Sequence, residues 1–167
     1  QGVIAVRVKD GEVLWTEKIT DAVPEHSSSG ARSVPSIDGE HLYVTTSDGG
    51  IACLTTGGTV KWQKDFKEWE GKMMSQWGFS ESPLVDGDLV VCTPGGPSAA
   101  MVALDKKTGR TKWKCRVPDI GPKGKDGAGY SSIVISTAGG VRQYVQMTGR
   151  GVIGVRAKDG RFLWGYN

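Results

Sequence analysis

The sequence predicts an all-β fold, a partial β-propeller of four-stranded antiparallel blades, and three observations lead to this prediction. Apolar and polar residues alternate over short segments that are rich in β-branched side chains. Asp-Gly and Gly-Gly pairs separate these segments, as they do in tight hairpins. A tryptophan follows a glycine turn at four spaced positions, which are Trp15, Trp62, Trp113 and Trp164. Units of four short strands with a period of roughly 40–50 residues are typical of propeller blades.

The two ends of the chain carry the most similar copies of the repeat. The segments GVIAVRVKDGEVLW (2–15) and GVIGVRAKDGRFLW (151–164) share 10 of 14 positions. The first copy predicts a half blade over 2–19 that holds only the two outer strands. The whole chain, 1–167, then forms a single partial propeller whose full blades are expected at 33–66, 81–117 and 131–167.

The recurring tryptophan has a structural interpretation. An indole ring on an outer strand can lie on the next blade, and a glycine turn lets the two backbones come close. The best-preserved copy is ALDKKTGRTKW (103–113). The docking residues predicted in this way are Trp15, Trp62, Trp113 and Trp164, together with the turn glycine Gly109.

The copy at 103–113 also matches the tryptophan-docking motif of the PQQ-like propellers, at Ala103, Asp105, Thr108, Gly109 and Trp113. The chain resembles this repeat family, which includes the BamB lipoproteins and the quinoprotein alcohol dehydrogenases. Secreted planctomycete-type members look most similar. The resemblance implies a closed ring of roughly seven or eight blades, of which this chain would be a fragment or half of an assembly. It also implies a periplasmic or secreted location.

Composition narrows the range of partners. A net charge of +3 with scattered basic residues does not favour nucleic acid. No apolar run is long enough to span a membrane, and GVIAVRV near the start is interpreted as a strand rather than a signal peptide. The three cysteines, Cys53, Cys92 and Cys115, are interpreted as small buried hydrophobes, although one disulfide with a free thiol is also possible.

Three long loops, at 20–33, 67–81 and 118–131, connect an outer strand to the next inner strand and share one face of a propeller. Loops on a rigid scaffold commonly carry binding sites. Aligned on the tryptophans, these loops end in GARS, GFSE and GYSS, which predicts a polar ring at the mouth of the channel. Its members are Arg32, Ser33, Ser80, Glu81, Tyr130, Ser131 and Ser132. They either bind a small polar ligand or a partner, or satisfy buried backbone groups where strands begin.

The loop at 67–81 also contains an aromatic and methionine cluster. Trp69, Met73, Met74 and Trp77 form either a partner surface or a lid that packs on its own blade. Neither His26 nor His41 has cysteine or carboxylate partners at metal-ligand spacing, so no metal site is predicted.

Two functions fit these features. The favoured one is a non-catalytic scaffold that binds a protein or a small polar ligand, with no cofactor. The alternative, implied by the resemblance, is a fragment of a quinoprotein alcohol dehydrogenase that holds PQQ with calcium in its channel. The lack of adjacent cysteines and the single channel carboxylate, Glu81, favour the scaffold. An open arc also exposes blade faces, which predicts self-association that closes the ring.

Overall fold

The computed structural model describes residues 1–23 and 31–167, so His26 and half of the first long loop lie outside the described residues. The chain forms four antiparallel sheets. The first sheet contains β1 (Gly2–Val6) and β2 (Val13–Lys18). The second contains β3 (Ser36–Asp38), β4 (His41–Thr45), β5 (Gly50–Thr55) and β6 (Val60–Asp65). The third contains β7 (Leu84–Asp86), β8 (Leu89–Cys92), β9 (Met101–Asp105) and β10 (Thr111–Cys115). The fourth contains β11 (Val134–Ala138), β12 (Val141–Thr148), β13 (Gly151–Arg156) and β14 (Phe162–Tyr166).

Each four-stranded sheet is a meander, because its strands are hydrogen-bonded in the order in which they follow one another in the chain. Glycines at the hairpin turns allow this tight folding: Gly39 and Gly87 both have a positive φ, of 57° and 58°. The helical content of the described residues is one 3-10 turn, Phe66–Trp69, and no helix among them could cross a membrane. The prediction of an all-β fold of four-stranded antiparallel sheets is confirmed.

Neighbouring sheets pack face to face, and a separate apolar core lies at each of the three interfaces. Between the first and second sheets, Val3 and Trp15 pack against the cluster that contains Leu54. The cores at the next two interfaces contain one fully buried tyrosine each, Tyr43 and Tyr144. All three cysteines are buried and free, so they serve as small apolar side chains in these cores.

A tryptophan from each of the first three sheets lies on a glycine turn of the following sheet. A Cβ atom added to Gly58, Gly109 or Gly160 would come within 2.8, 2.7 and 2.4 Å of the ring of Trp15, Trp62 and Trp113, respectively. Only a residue without a side chain therefore lets each ring approach so closely. The fourth tryptophan, Trp164, is 39% exposed, and its Nε1 donates to Gln143 Oε1 of the same sheet (2.7 Å).

The best-preserved turn is shaped by its aspartate. Asp105 Oδ1 accepts hydrogen bonds from the Thr108 N–H and the Thr108 hydroxyl, both at 2.9 Å. The turn then closes with the Gly109 N–H donating to the Asp105 carbonyl (2.8 Å). Ala103, which is fully buried, pairs with Trp113 in the ladder between β9 and β10. These contacts explain why the motif needs an acid, a hydroxyl, a glycine and a small residue at these positions.

Candidate functional site

Serines at the beginning of the inner strands connect three sheets. The Val34 N–H donates to Ser82 Oγ (2.9 Å), and the Ser82 N–H donates to Ser132 Oγ (3.0 Å). Each bond runs from one sheet to the equivalent position in the next. Sequence reasoning included Ser132 in the polar ring but missed Ser82. The Ser82-Pro83 pair was a usable signal, since a proline at a strand start removes a backbone donor there.

Ser33, another member of the predicted ring, does not connect two sheets in this way. Its hydroxyl donates to the Thr45 carbonyl within its own sheet (2.6 Å).

A buried carboxyl group lies where the third and fourth sheets meet. Glu81 is 4% exposed. Its Oε1 accepts the Thr93 N–H (3.0 Å), and its Oε2 accepts Gln146 Nε2 (2.8 Å). Burial raises the pKa of Glu81 to about 8, and these hydrogen bonds only partly offset that effect. Burial therefore favours the neutral, protonated form of this side chain.

Gln146 on β12 is the centre of this cluster. Besides Glu81 Oε2, its Nε2 lies within hydrogen-bond distance of Thr93 Oγ1 (2.8 Å) and the Ser131 carbonyl (3.1 Å), so its two N–H groups are shared among three acceptors. Its Oε1 accepts the Ser131 hydroxyl (2.8 Å). The structure thus brings together two residues of the predicted ring, Glu81 and Ser131. Gln146 and Thr93 were missed. A glutamine within a predicted inner strand was the available signal, because a buried amide needs several partners.

Three further members of the predicted ring, Arg32, Ser80 and Tyr130, form a more exposed group with Ser75 and Trp77. We term this group the loop surface. The Arg32 guanidinium carbon lies 5.5 Å from the centre of the Trp77 ring, within cation–π range. The Ser80 hydroxyl donates to the Tyr130 carbonyl (3.2 Å), and the Tyr130 hydroxyl is hydrogen-bonded to Ser75 Oγ. Trp77 is 37% exposed and Tyr130 is 39% exposed.

The residues of the aromatic and methionine cluster in the 67–81 loop lie in different environments. Trp69 is 5% exposed and packs on Phe66, with ring centroids 6.1 Å apart. Trp69 is buried because it belongs to the 3-10 turn, which directs its ring inward. Glu70 ends this turn in a left-handed conformation (φ 54°). Met73 packs against the same core. Burial of Trp69 fits the lid interpretation of this cluster for that residue, whereas Met73 is only partly buried. A partner surface over the cluster stays a prediction.

Backbone bonds connect this loop to the next one. The Met74 N–H donates to the Ala128 carbonyl (3.1 Å), and the Ala128 N–H donates to the Lys72 carbonyl (2.7 Å). Met74 itself is partly exposed. The loops at 67–81 and 118–131 thus form one connected layer that supports Trp77 and Tyr130.

Glu81, the carboxyl group expected in the channel, is not free to bind a calcium ion in this structure. Both oxygens of Glu81 already accept hydrogen bonds, and the side chain is almost fully enclosed. A calcium ion needs several oxygen ligands, with carboxylates prominent among them. No group of three or more His, Cys, Asp or Glu side chains in residues 1–23 and 31–167 could hold a metal ion.

Stacked four-stranded meanders, each joined to the next by a tryptophan on a glycine turn, define the chain as an arc of a β-propeller. The family model described as outer membrane protein assembly factor BamB matches residues 1–167, so the chain belongs to this family. The predicted membership of a PQQ-like, BamB-like repeat family is thereby confirmed. The finer resemblance to planctomycete-type proteins stays a prediction.

Individual relatives cover the chain to different extents. BamB of Alteromonas naphthalenivorans is 30% identical over an aligned length of 115 residues, and the match covers 64% of this chain and 27% of that protein. The crystal structure of BamB from Moraxella catarrhalis matches with a TM-score of 0.69 and 16% identity, over 99% of this chain and 46% of that one. The quinohemoprotein alcohol dehydrogenase of Comamonas testosteroni matches with a TM-score of 0.71 and 15% identity, over 99% and 32%. The two structures share the fold with this chain, which spans less than half of each.

Proposed function

We propose that this chain is a non-catalytic part of a propeller that binds a protein partner through the loop surface and needs no cofactor. One observation carries the proposal: Trp77 and Tyr130 are each more than a third exposed, yet each is held by a residue from another loop. An aromatic side chain that is already ordered loses little entropy on binding. Tyrosine, tryptophan and arginine are also the residues that contribute most at protein interfaces.

The family supports this proposal. The Alteromonas relative is named an outer membrane protein assembly factor, and an assembly factor acts on other proteins. We propose the cell envelope as the location on the same basis. The chain matches 27% of that relative, so its partner need not be the partner of this chain.

Site-specific crosslinking tests the proposal. A photoreactive amino acid is placed at Trp77 or Tyr130 in the full-length protein, in its native cells, and the control position is Lys107. Lys107 lies in an exposed turn between β9 and β10, at the opposite end of the sheet from the loop surface. We expect a discrete crosslinked protein from positions 77 and 130 and none from position 107.

The crosslinked protein is then purified and its affinity is measured against single variants. We expect Trp77→Ser and Tyr130→Ser each to raise the Kd by about tenfold or more, since hot-spot residues cost at least about 2 kcal/mol. The matched control, Lys107→Ser, should leave the Kd unchanged. Equal crosslinking at all three positions, or equal affinity of all variants, would refute the loop surface as the interface.

A further inference from the structure

A cavity of about 330 Å³ lies between the third and fourth sheets, and none of the loop-surface residues lines it. Three glycines, Gly95, Gly96 and Gly127, form part of its lining. Two of them are packed tightly from behind: a Cβ atom on Gly96 would lie 1.9 Å from the Trp69 carbonyl oxygen, and one on Gly127 would lie 2.5 Å from the Met73 backbone. The cavity is therefore preformed, with peptide groups rather than side chains over part of its wall.

Two of the glycines that line this cavity have backbone N–H groups without a hydrogen-bond partner among the described residues. The N–H groups of Gly96 and Gly127 have no hydrogen-bond partner in the described part of the chain, although both residues are buried. A buried donor without a partner is costly. The exposed Arg116 also lines the cavity, and its guanidinium has no ion-pair or hydrogen-bond partner among residues 1–23 and 31–167. The residues that line the cavity thus include two peptide donors and one cation that the described residues leave unpaired.

The other charged residues of the lining limit where a negative charge can lie. Arg150 is paired with Asp126 and donates to the Gly121 carbonyl (2.9 Å), so these two charges offset each other. The Asp119 carboxylate accepts the Gly121 N–H (3.0 Å) and forms no ion pair with a described residue. An anionic group is therefore favoured near Arg116 and disfavoured near Asp119.

We propose that this cavity binds an organic monocarboxylate with a short apolar chain. The carboxylate would accept hydrogen bonds from Arg116 and the glycine N–H groups, which are charge-assisted and strong. The apolar part would lie against Pro97, Ala100 and Val117, which also line the cavity. A free acid and the carboxyl terminus of a peptide present the same carboxylate to the site. A second carboxylate on the ligand would be repelled by Asp119, so dicarboxylates are disfavoured.

The test is a titration of the isotopically labelled chain with small probes, in which NMR monitors the backbone amide and arginine side-chain signals. The probes are butanoate, succinate and butylamine, which differ in charge at equal chain length, and an acetylated tripeptide that ends in valine, as the free acid and as the amide. We expect butanoate to shift the Gly96, Gly127 and Arg116 signals, and succinate and butylamine to bind at least about tenfold more weakly. Signals that shift with the tripeptide acid but not with its amide would show that the carboxyl terminus of a peptide also binds. If the tripeptide acid causes no shift, the ligand is a small organic acid and not a peptide end.

Variants decide whether the site is the one described. Arg116→Gln should raise the Kd for butanoate at least about tenfold, whereas Arg110→Gln should not change it. Arg110 is an equally exposed arginine in the turn that precedes β10. Absence of shifts at Gly96 and Gly127, equal binding of all three small probes, or equal affinity of the two variants would overturn the proposal. None of these outcomes bears on the loop surface, because the probes and the signals belong to the cavity.

Discussion

The Glu81 carboxyl group is buried between two sheets, and none of its hydrogen-bond partners carries a positive charge. Its pKa is raised from 4.5 to about 8 by burial. The folded state therefore keeps a proton that the unfolded state loses near pH 4.5. By linkage, stability contributed by this group is fully present below that pH and is lost as the pH rises toward 8.

This environment yields a prediction on pH dependence. The free energy of unfolding should fall between about pH 5 and pH 8 by an amount on the order of 4 kcal/mol, at about 1.4 kcal/mol per pH unit. Glu81→Gln removes the titration, so its unfolding free energy should vary much less over this range. Urea unfolding of both proteins at several pH values measures the difference. A constant gap between the two curves from pH 5 to pH 8 would show that Glu81 does not titrate there.

At the scale of single elements, the contact between an outer strand and the next hairpin is the recurring unit. The Trp113 ring lies on Gly160 of the fourth sheet and stacks on Tyr144, with ring centroids 6.0 Å apart. Its Nε1 is buried without a partner among the described residues. The contact is therefore apolar in character, and its loss should cost packing rather than a hydrogen bond.

A double-mutant cycle tests this contact. Trp113→Ala should lower the free energy of unfolding by about 2–4 kcal/mol, since truncation of a buried tryptophan costs about 3–5 kcal/mol and Trp113 is only partly buried. Gly160→Ala should also destabilise the chain, because a Cβ there would meet the ring at 2.4 Å and φ is +74°. The two effects should not add, since without the ring the added methyl has space.

Gly11→Ala serves as the control. Its φ of +77° is nearly the same, but nothing lies within 4 Å of an added Cβ. It should show only the cost of backbone strain and should be additive with Trp113→Ala. If Gly160→Ala and Trp113→Ala were fully additive, or if Trp113→Ala cost less than about 1 kcal/mol, the ring would not stabilise the interface.

The strands and turns could be predicted from the sequence because they depend on local signals. Alternation gave each strand, and paired Asp-Gly residues marked the hairpins at Gly39 and Gly87. The pairing of Glu81 with Gln146 could not be predicted from the sequence, since it joins positions 65 residues apart across two sheets. The inward direction of Trp69 depends on one left-handed residue, Glu70, a conformation that is uncommon in residues other than glycine and asparagine.

At the scale of the whole molecule, the two outermost sheet faces expose apolar side chains, and no sheet formed by the described residues covers them. On the first sheet Ile4 and Leu14 are 59% and 53% exposed, and on the fourth sheet Trp164 and Tyr166 are 39% and 76% exposed. The two faces are also complementary. Gly11 occupies the place in the first sheet that Gly160 occupies in the fourth, within the repeat KDG, and no side chain covers it.

These faces predict that the 167-residue chain, produced by itself, associates head to tail, with Trp164 of one copy on the Gly11 turn of another. Removing apolar surface from water contributes about 25 cal/mol per Å², so exposure of both faces is unfavourable. Sedimentation velocity over a concentration series should show oligomers of the chain, and Trp164→Lys should strongly weaken their association. Thr111→Lys adds the same charge at an exposed position on β10 and should leave them unchanged. A monodisperse monomer at high concentration would contradict this prediction, as would equal association of the two variants.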